Sequence, residues 1–167
     1  MNELRDTADI GELIQFIVIR LGDESYGIDI KYIDNIVRMQ QITRVPQVED
    51  YLKGVINIRG EIVPVMSLRR KMGIEDDEIT DKTRIIILKA SEGDLIGIIV
   101  DQVNQVLTLS ANNIEKVSYD SKKQEKNATF ISGVGHHENG LVSILDLQAV
   151  ESERDVKEKS SKEKVQQ

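Results

Sequence analysis

Residues 53–65 read Lys-Gly-Val-Ile-Asn-Ile-Arg-Gly-Glu-Ile-Val-Pro-Val, two apolar runs on either side of an Arg-Gly step. Two strand-like runs broken by so short a step leave little choice but a β-hairpin. Gly60 supplies the positive φ that a tight turn needs. The turn lifts Arg59 to the end of a sheet, where its guanidinium fork can meet a partner. Pro64 has no amide donor, so the second strand is expected at a sheet edge or with a bulge.

The composition agrees with a sheet protein. Ile and Val together number 39 against 12 Leu, and β-branched side chains favour strands. At 167 residues the chain can build one domain with a sizeable core or two small subdomains. It has no cysteine, which removes disulfides and thiolate metal sites. The formal charge is −7. From Glu151 onward five acids offset five bases, so the negative balance belongs to the body of the protein. That balance, with few aromatics, argues against nucleic acid, whose phosphates require a basic stripe. The first residues lack a basic-then-apolar leader, and no apolar run approaches the roughly 20 residues of a membrane span. The expectation is a soluble cytoplasmic protein without direct membrane insertion.

Along the chain, residues 1–12 are polar and read as a flexible start, and residues 151–167 as a charged, disordered tail. Gln15 to Leu21 is a strand, turned at Gly22-Asp23-Glu24 into alternating Tyr26, Ile28 and Ile30. Ile30, Ile33 and Val37 recur at helical spacing and predict a short helix or helical turn. Val48, Tyr51 and Leu52 predict one more helical turn, closed by Gly54 in a left-handed cap. Ser67 is placed to cap a short helix carrying Leu68 and Met72 and ending at Gly73. Arg84 to Lys89, Leu95 to Asp101 and Val103 to Leu109 are strands. Ser118 to Ala128 is a lysine-rich loop. Asn139-Gly140 predicts a late hairpin with a primed turn, and Asp146 the start of a last helix through Val150. Many short strands with few helices indicate an all-β barrel or sandwich.

Chemistry-bearing constellations are thin. His136 and His137 are adjacent in a strand, so they point to opposite faces and cannot easily grip one metal. No Gly-x-Ser-x-Gly elbow occurs. Gly133-Val134-Gly135 lacks the third glycine and helix of a phosphate loop. Glu75 to Glu78 lacks the spaced ligands of a calcium loop. No catalytic, cofactor-binding or metal-binding residue is assigned. Arg59 reads either as an exposed turn residue or as an interface anchor. Ile33, Ile36 and Val37 read either as core cover or as an apolar docking patch.

Several spaced motifs resemble one family. Gly-Val-Ile-Asn-Ile-Arg-Gly-Glu-Ile-Val-Pro-Val over residues 54–65 is similar to the signature of CheW-type chemotaxis coupling proteins. Leu21 to Ile30 is similar to the family's first hairpin, Ile96 to Val103 to its mid-chain strand, and Ile131 to Gly135 to its late glycine motif. The likeness covers residues 13–150 in chain order. It implies an all-β fold of two small five-stranded barrel-like subdomains packed side by side, with short helices and a hydrophobic groove between them. It implies a non-enzymatic adaptor between the cytoplasmic tip of a methyl-accepting chemoreceptor and the regulatory domain of the histidine kinase CheA. Under that resemblance the partner-binding set is Arg59, Gly60, Asn57, Ile33, Ile36, Val37 and the barrel end near Gly97. Asn35 departs from the family, standing where many members carry glutamate. The rival readings are the coupling module of a receiver-fused adaptor or kinase and, in a different class, a small β-barrel ligand-binding protein or hydrolase.

Overall fold

A computed structural model describes residues 11–117 and 130–151. The expectations for residues 1–10, for the lysine-rich loop and for the charged tail from residue 152 lie outside the described residues. In chain order the strands are β1 (Leu13–Leu21), β2 (Glu24–Asp29), β3 (Ile33–Arg38), β4 (Leu52–Ile58) and β5 (Glu61–Ser67). The short helix α1 (Leu68–Lys71) follows. Then come β6 (Arg84–Lys89), β7 (Leu95–Val100), β8 (Gln102–Ser110), β9 (Ile114–Lys116), β10 (Ile131–His137) and β11 (Gly140–Leu145). A helical turn over 147–151, α2, closes the described chain.

The strands form two sheets. One has six strands in the order β8-β1-β2-β11-β10-β9, the other five in the order β3-β6-β7-β5-β4. The expected pair of small strand-rich subdomains with short helices is present; in detail, among the described residues, the sheets have six and five strands and neither closes into a barrel. The sheets still curl. Phe16, Leu109, Val142 and Ile144 fill a core within the six-stranded sheet, and Ile56, Val63, Val65, Ile85, Ile87 and Ile99 one within the five-stranded sheet. A third core, shared between the sheets, holds Ile17, Ile19 and Ile28 of one against Ile86, Ile98 and Val100 of the other. This arrangement explains the unbroken apolar runs. In β6, Ile85 and Ile87 face the sheet's own core while Ile86 and Leu88 face the shared one, because successive strand residues point to opposite faces.

The sequence places α1 correctly. The Ser67 hydroxyl accepts from the Arg70 amide at 3.2 Å, and Gly73 adopts φ +77° beyond the last turn. Asp146 likewise caps α2, its carboxylate accepting from the Ala149 amide at 3.1 Å.

Four local readings are corrected. Of residues 30–37, Ile30–Tyr32 alone forms a helical (3-10) turn, the shorter of the two alternatives; Ile33–Arg38 is a strand paired with β6. The spacing of Ile30, Ile33 and Val37 spans that turn and strand, so it mimics a helix. The second helical reading reduces to one hydrogen-bonded turn, the Leu52 amide donating to the Glu49 carbonyl at 3.0 Å; Leu52 then begins β4, and Gly54 sits inside it at φ +146°. A Cβ on Gly54 would collide with the Thr43 carbonyl, so the glycine permits a backbone approach rather than ending a helix. Pro64 lies in an interior strand, since β5 is flanked by β7 and β4. Its neighbour Val55 directs both backbone groups to Thr43, at 2.9 and 2.8 Å. Val55–Pro64 is thus a pair with no hydrogen bond to lose, and the ladder to β7 begins one residue later at Val65. The late hairpin turns at Glu138-Asn139 with Gly140 following at φ +130°, and Asn139 keeps a negative φ. The Asn-Gly pair is displaced by one residue from the primed-turn register.

Candidate functional site

The β4–β5 hairpin ends in a two-residue turn with positive φ at both positions, 51° at Arg59 and 87° at Gly60. That is the geometry of a type I′ turn, whose twist suits antiparallel strands. The Asn57 side-chain oxygen accepts from the Gly60 amide at 2.8 Å, so Asn57 stabilises the turn. Arg59 is 76% exposed, and its nearest acid, Asp34 of β3, lies 3.7 Å away with 27% exposure. The pair is too long for a hydrogen bond. Asn35, one residue on, turns its side chain to the Ile36 amide at 2.9 Å. Opposite Asn57 stands Ile62, 61% exposed. The tip therefore presents a cation beside an apolar side chain, at the end of the five-stranded sheet.

The remaining sequence candidates separate. Ile33 and Ile36 are half-buried against the shared core, and Val37 packs on the core of the five-stranded sheet. They are packing residues with partial exposure, not a free patch. Gly97 is buried in the central strand β7, where a Cβ would come 3.0 Å from Ile85 Cγ2 and 3.2 Å from Val65 Cγ2. It admits neighbouring side chains and offers no surface, which corrects its placement at a barrel end. His136 and His137 also separate. His136 Nε2 is 3.5 Å from Glu115 Oε1, whereas His137 Nδ1 accepts from the Asn139 amide at 3.3 Å. Among the described residues no three His, Asp or Glu side chains group as metal ligands.

Sequence reading missed two features. The first is an apolar patch at the uncovered end of the face that the six-stranded sheet turns toward the other sheet. Ile17 pairs with Val106 on one side and Ile28 on the other, and Leu13 shares its face of β1. The other sheet covers Ile17 and Ile28 but leaves Leu13 62% and Val106 53% exposed. Ile30 and Tyr32, on the turn after β2, are exposed nearby. The apolar spacing of β1 and β8 hinted at this patch; which end stays uncovered depends on how the sheets pack.

The second is an ion pair between the sheets. Arg69 of α1 donates from Nε and Nη2 to the two oxygens of Asp101, at 2.8 and 2.5 Å. The Gly22 amide of the β1–β2 turn donates to the same carboxylate at 2.7 Å. The Arg69 fork holds the Asp101 carboxyl below its ordinary range, against the opposing effect of burial, with the Gly22 amide adding to it. A separate surface cluster joins Arg70 and Lys53 to Asp76 at 2.7 and 2.9 Å, and these bonds hold Asp76 well below the usual carboxylate range.

Comparison with known proteins follows the same outline. A model of the CheW-like domain matches residues 15–154. The chain belongs to the CheW-like family. It is 38% identical over 144 residues to the chemotaxis protein CheW of Bacillus subtilis, covering 86% of this chain and 90% of that one. It is 31% identical to CheW of Helicobacter pylori, covering 85% and 84%. The crystal structure of the scaffolding protein TtCheW from Thermoanaerobacter tengcongensis superposes with a TM-score of 0.72 at 29% identity, covering 81% of this chain and 86% of that one. The CheW-like family works without catalysis, as a chemotaxis adaptor, and this chain shares that role. The two-sheet architecture of the fold is the one described above. Among the described residues no helix is long and apolar enough to cross a membrane.

Proposed function

We propose that this adaptor couples the cytoplasmic tip of a chemoreceptor to the regulatory domain of the histidine kinase CheA, acting in the cytoplasm at membrane receptor arrays. The observation that carries the reading is the separation of two exposed faces on two sheets. The Leu13–Val106 patch is apolar and lies on the six-stranded sheet. The Arg59 tip is charged and lies on the five-stranded sheet. An adaptor needs two such faces and no reacting group.

The apolar patch suits the kinase regulatory domain, because burying Leu13 and Val106 against a second sheet removes exposed hydrocarbon from water. Ile33 and Ile36 pack against the same shared core as Ile17 and Ile28. The Arg59 tip, with Ile62, Asn57 and Gly60, suits the receptor helix: an apolar side chain can rest on Ile62 while the guanidinium meets a carboxylate or a helix C-terminus. Signal transfer is then a population shift of the assembly rather than a chemical step.

Pull-down with the kinase regulatory domain and with a receptor cytoplasmic fragment tests both halves. Val106→Asp and Leu13→Asp are expected to weaken kinase capture while leaving receptor capture intact. Arg59→Ala is expected to weaken receptor-dependent assembly, at about 2 kcal/mol if Arg59 is an interface anchor. Folded variants that bind both partners normally would move the interfaces elsewhere.

A further inference from the structure

The chain passes from the five-stranded to the six-stranded sheet between β7 and β8 at a single residue, Asp101. Its carboxylate accepts three hydrogen bonds, two from Arg69 and one from the Gly22 amide. Arg69 extends from α1, which follows β5 of the five-stranded sheet. Gly22 belongs to the turn between β1 and β2 of the six-stranded sheet. The Asp101 amide in turn donates to the Arg20 carbonyl at 3.1 Å. Arg69 is gripped on its other side, Nη1 donating to the Glu75 carbonyl at 3.2 Å. One carboxylate therefore ties an element of each sheet at the point where the backbone crosses between them.

The shared core holds the sheets together, but apolar contact is non-directional and tolerates sliding. Hydrogen bonds are directional, and a bidentate Arg–carboxylate fork fixes a plane as well as a distance. The latch is therefore suited to set the angle at which the sheets meet. A second polar tie, from the Ser91 hydroxyl to Glu151 at 3.1 Å, is exposed and lacks a second charge. Arg20, Lys82 and Glu78 line a cleft of about 220 Å³ beside Asp101, so water reaches the edge of the latch.

We propose that Asp101 is a positioning residue of the adaptor: through Arg69 and Gly22 it locks the two sheets, and with them the two docking faces, into one mutual orientation. Its consequence for signalling rests on the adaptor reading above, whereas its structural half stands on the protein alone.

The chain contains no cysteine, so nitroxide labels can be placed at will. Ile62→Cys on β5 and Leu141→Cys on β11 report the distance between sheets; both positions are exposed. Val106→Cys with Leu141→Cys reports within the six-stranded sheet. Double electron–electron resonance on the full chain is expected to show a broadened inter-sheet distribution in Asp101→Asn and an unchanged control pair. Should Asp101→Asn fail to fold, Arg69→Lys carries the test under the same criterion, since it keeps the charge and loses the fork. An inter-sheet distribution identical to the parent's overturns the latch. In reconstitution, the folded variant is expected to bind the kinase regulatory domain and the receptor fragment singly, and to lose joint assembly. Normal joint assembly despite a broadened distribution overturns the positioning role. A parent protein that binds neither fragment overturns the adaptor reading instead, and the distance measurement still decides the latch.

Discussion

Arg59 lies 3.7 Å from Asp34 and is 76% exposed, whereas Arg69 grips Asp101 with two nitrogens and is only 14% exposed. Both are arginines near an aspartate, both lie in or just after the β4–β5 hairpin, and nothing in residue type separates them. Solvent does. An exposed pair at long range gains little, because water and salt screen it and ordering two long side chains costs entropy. A largely buried fork with a third donor on the same carboxylate gains more, and losing one partner strands the other. The first arginine is left free to meet another molecule. The second is committed to the fold.

Removing the committed arginine puts this distinction most directly at risk. Arg69→Ala is expected to lower the unfolding free energy by about 2 kcal/mol, between the values for exposed and fully buried pairs. Chemical denaturation measures it, and a loss no larger than that of Arg59→Ala would erase the distinction.

Next in size is the turn that displays the free arginine. Gly60 has φ +87°, and apart from its chain neighbours no heavy atom lies within 4 Å of where a methyl group would sit, so Gly60→Ala meets strain and no clash. A cost of about 1 kcal/mol is expected in a thermal or denaturant melt. A neutral result would mean that the turn relaxes and that Arg59 is not held in place.

Acid should act on the latch. Folding lowers the pKa of the Asp101 carboxyl, so its contribution is present above the ordinary carboxylate range and is lost as pH falls through the lowered value. Between pH 7 and the acid limb, the parent is expected to lose more stability than Asp101→Asn. Equal slopes for the two proteins would show that Asp101 is no more stabilised in the fold than in the unfolded chain.

Arg59→Ala should disturb stability least, within about 0.5 kcal/mol as for other surface changes. Melts paired with pull-downs separate the two arginines further. A lowered melting temperature with normal complex formation would make Arg59 structural after all.

Much of the fold was legible because it is written locally. Alternating apolar residues, Arg-Gly at a turn, Ser67 before Leu68 and Gly73 after Met72 specify strands, a hairpin and a capped helical turn within a few residues of each other. Reading failed where two local patterns coincide. Ile30, Ile33 and Val37 fit a helix by spacing, yet a turn followed by a strand places them equally well, and only pairing with β6 decides between the two. Of the candidate site, Arg59 and Gly60 were visible as turn chemistry, and Asn57 only through the family resemblance. Leu13 and Val106 were not, since any strand apolar residue looks like core until a covering sheet is seen to stop short of it.

Periodicity and turn residues act over short separations, so the order of residues alone specified a strand-rich, cysteine-free chain of the CheW-like family with an arginine at a hairpin tip. It took the packed sheets to show that β5 is interior despite Pro64, that Gly97 is buried, and that Arg69, Asp101 and Gly22 meet. Asp101 reaches Arg69 across 32 residues and Gly22 across 79, through the order in which strands join their sheets. Burial, edges and long-range hydrogen bonds follow from that order, and no local pattern carries it.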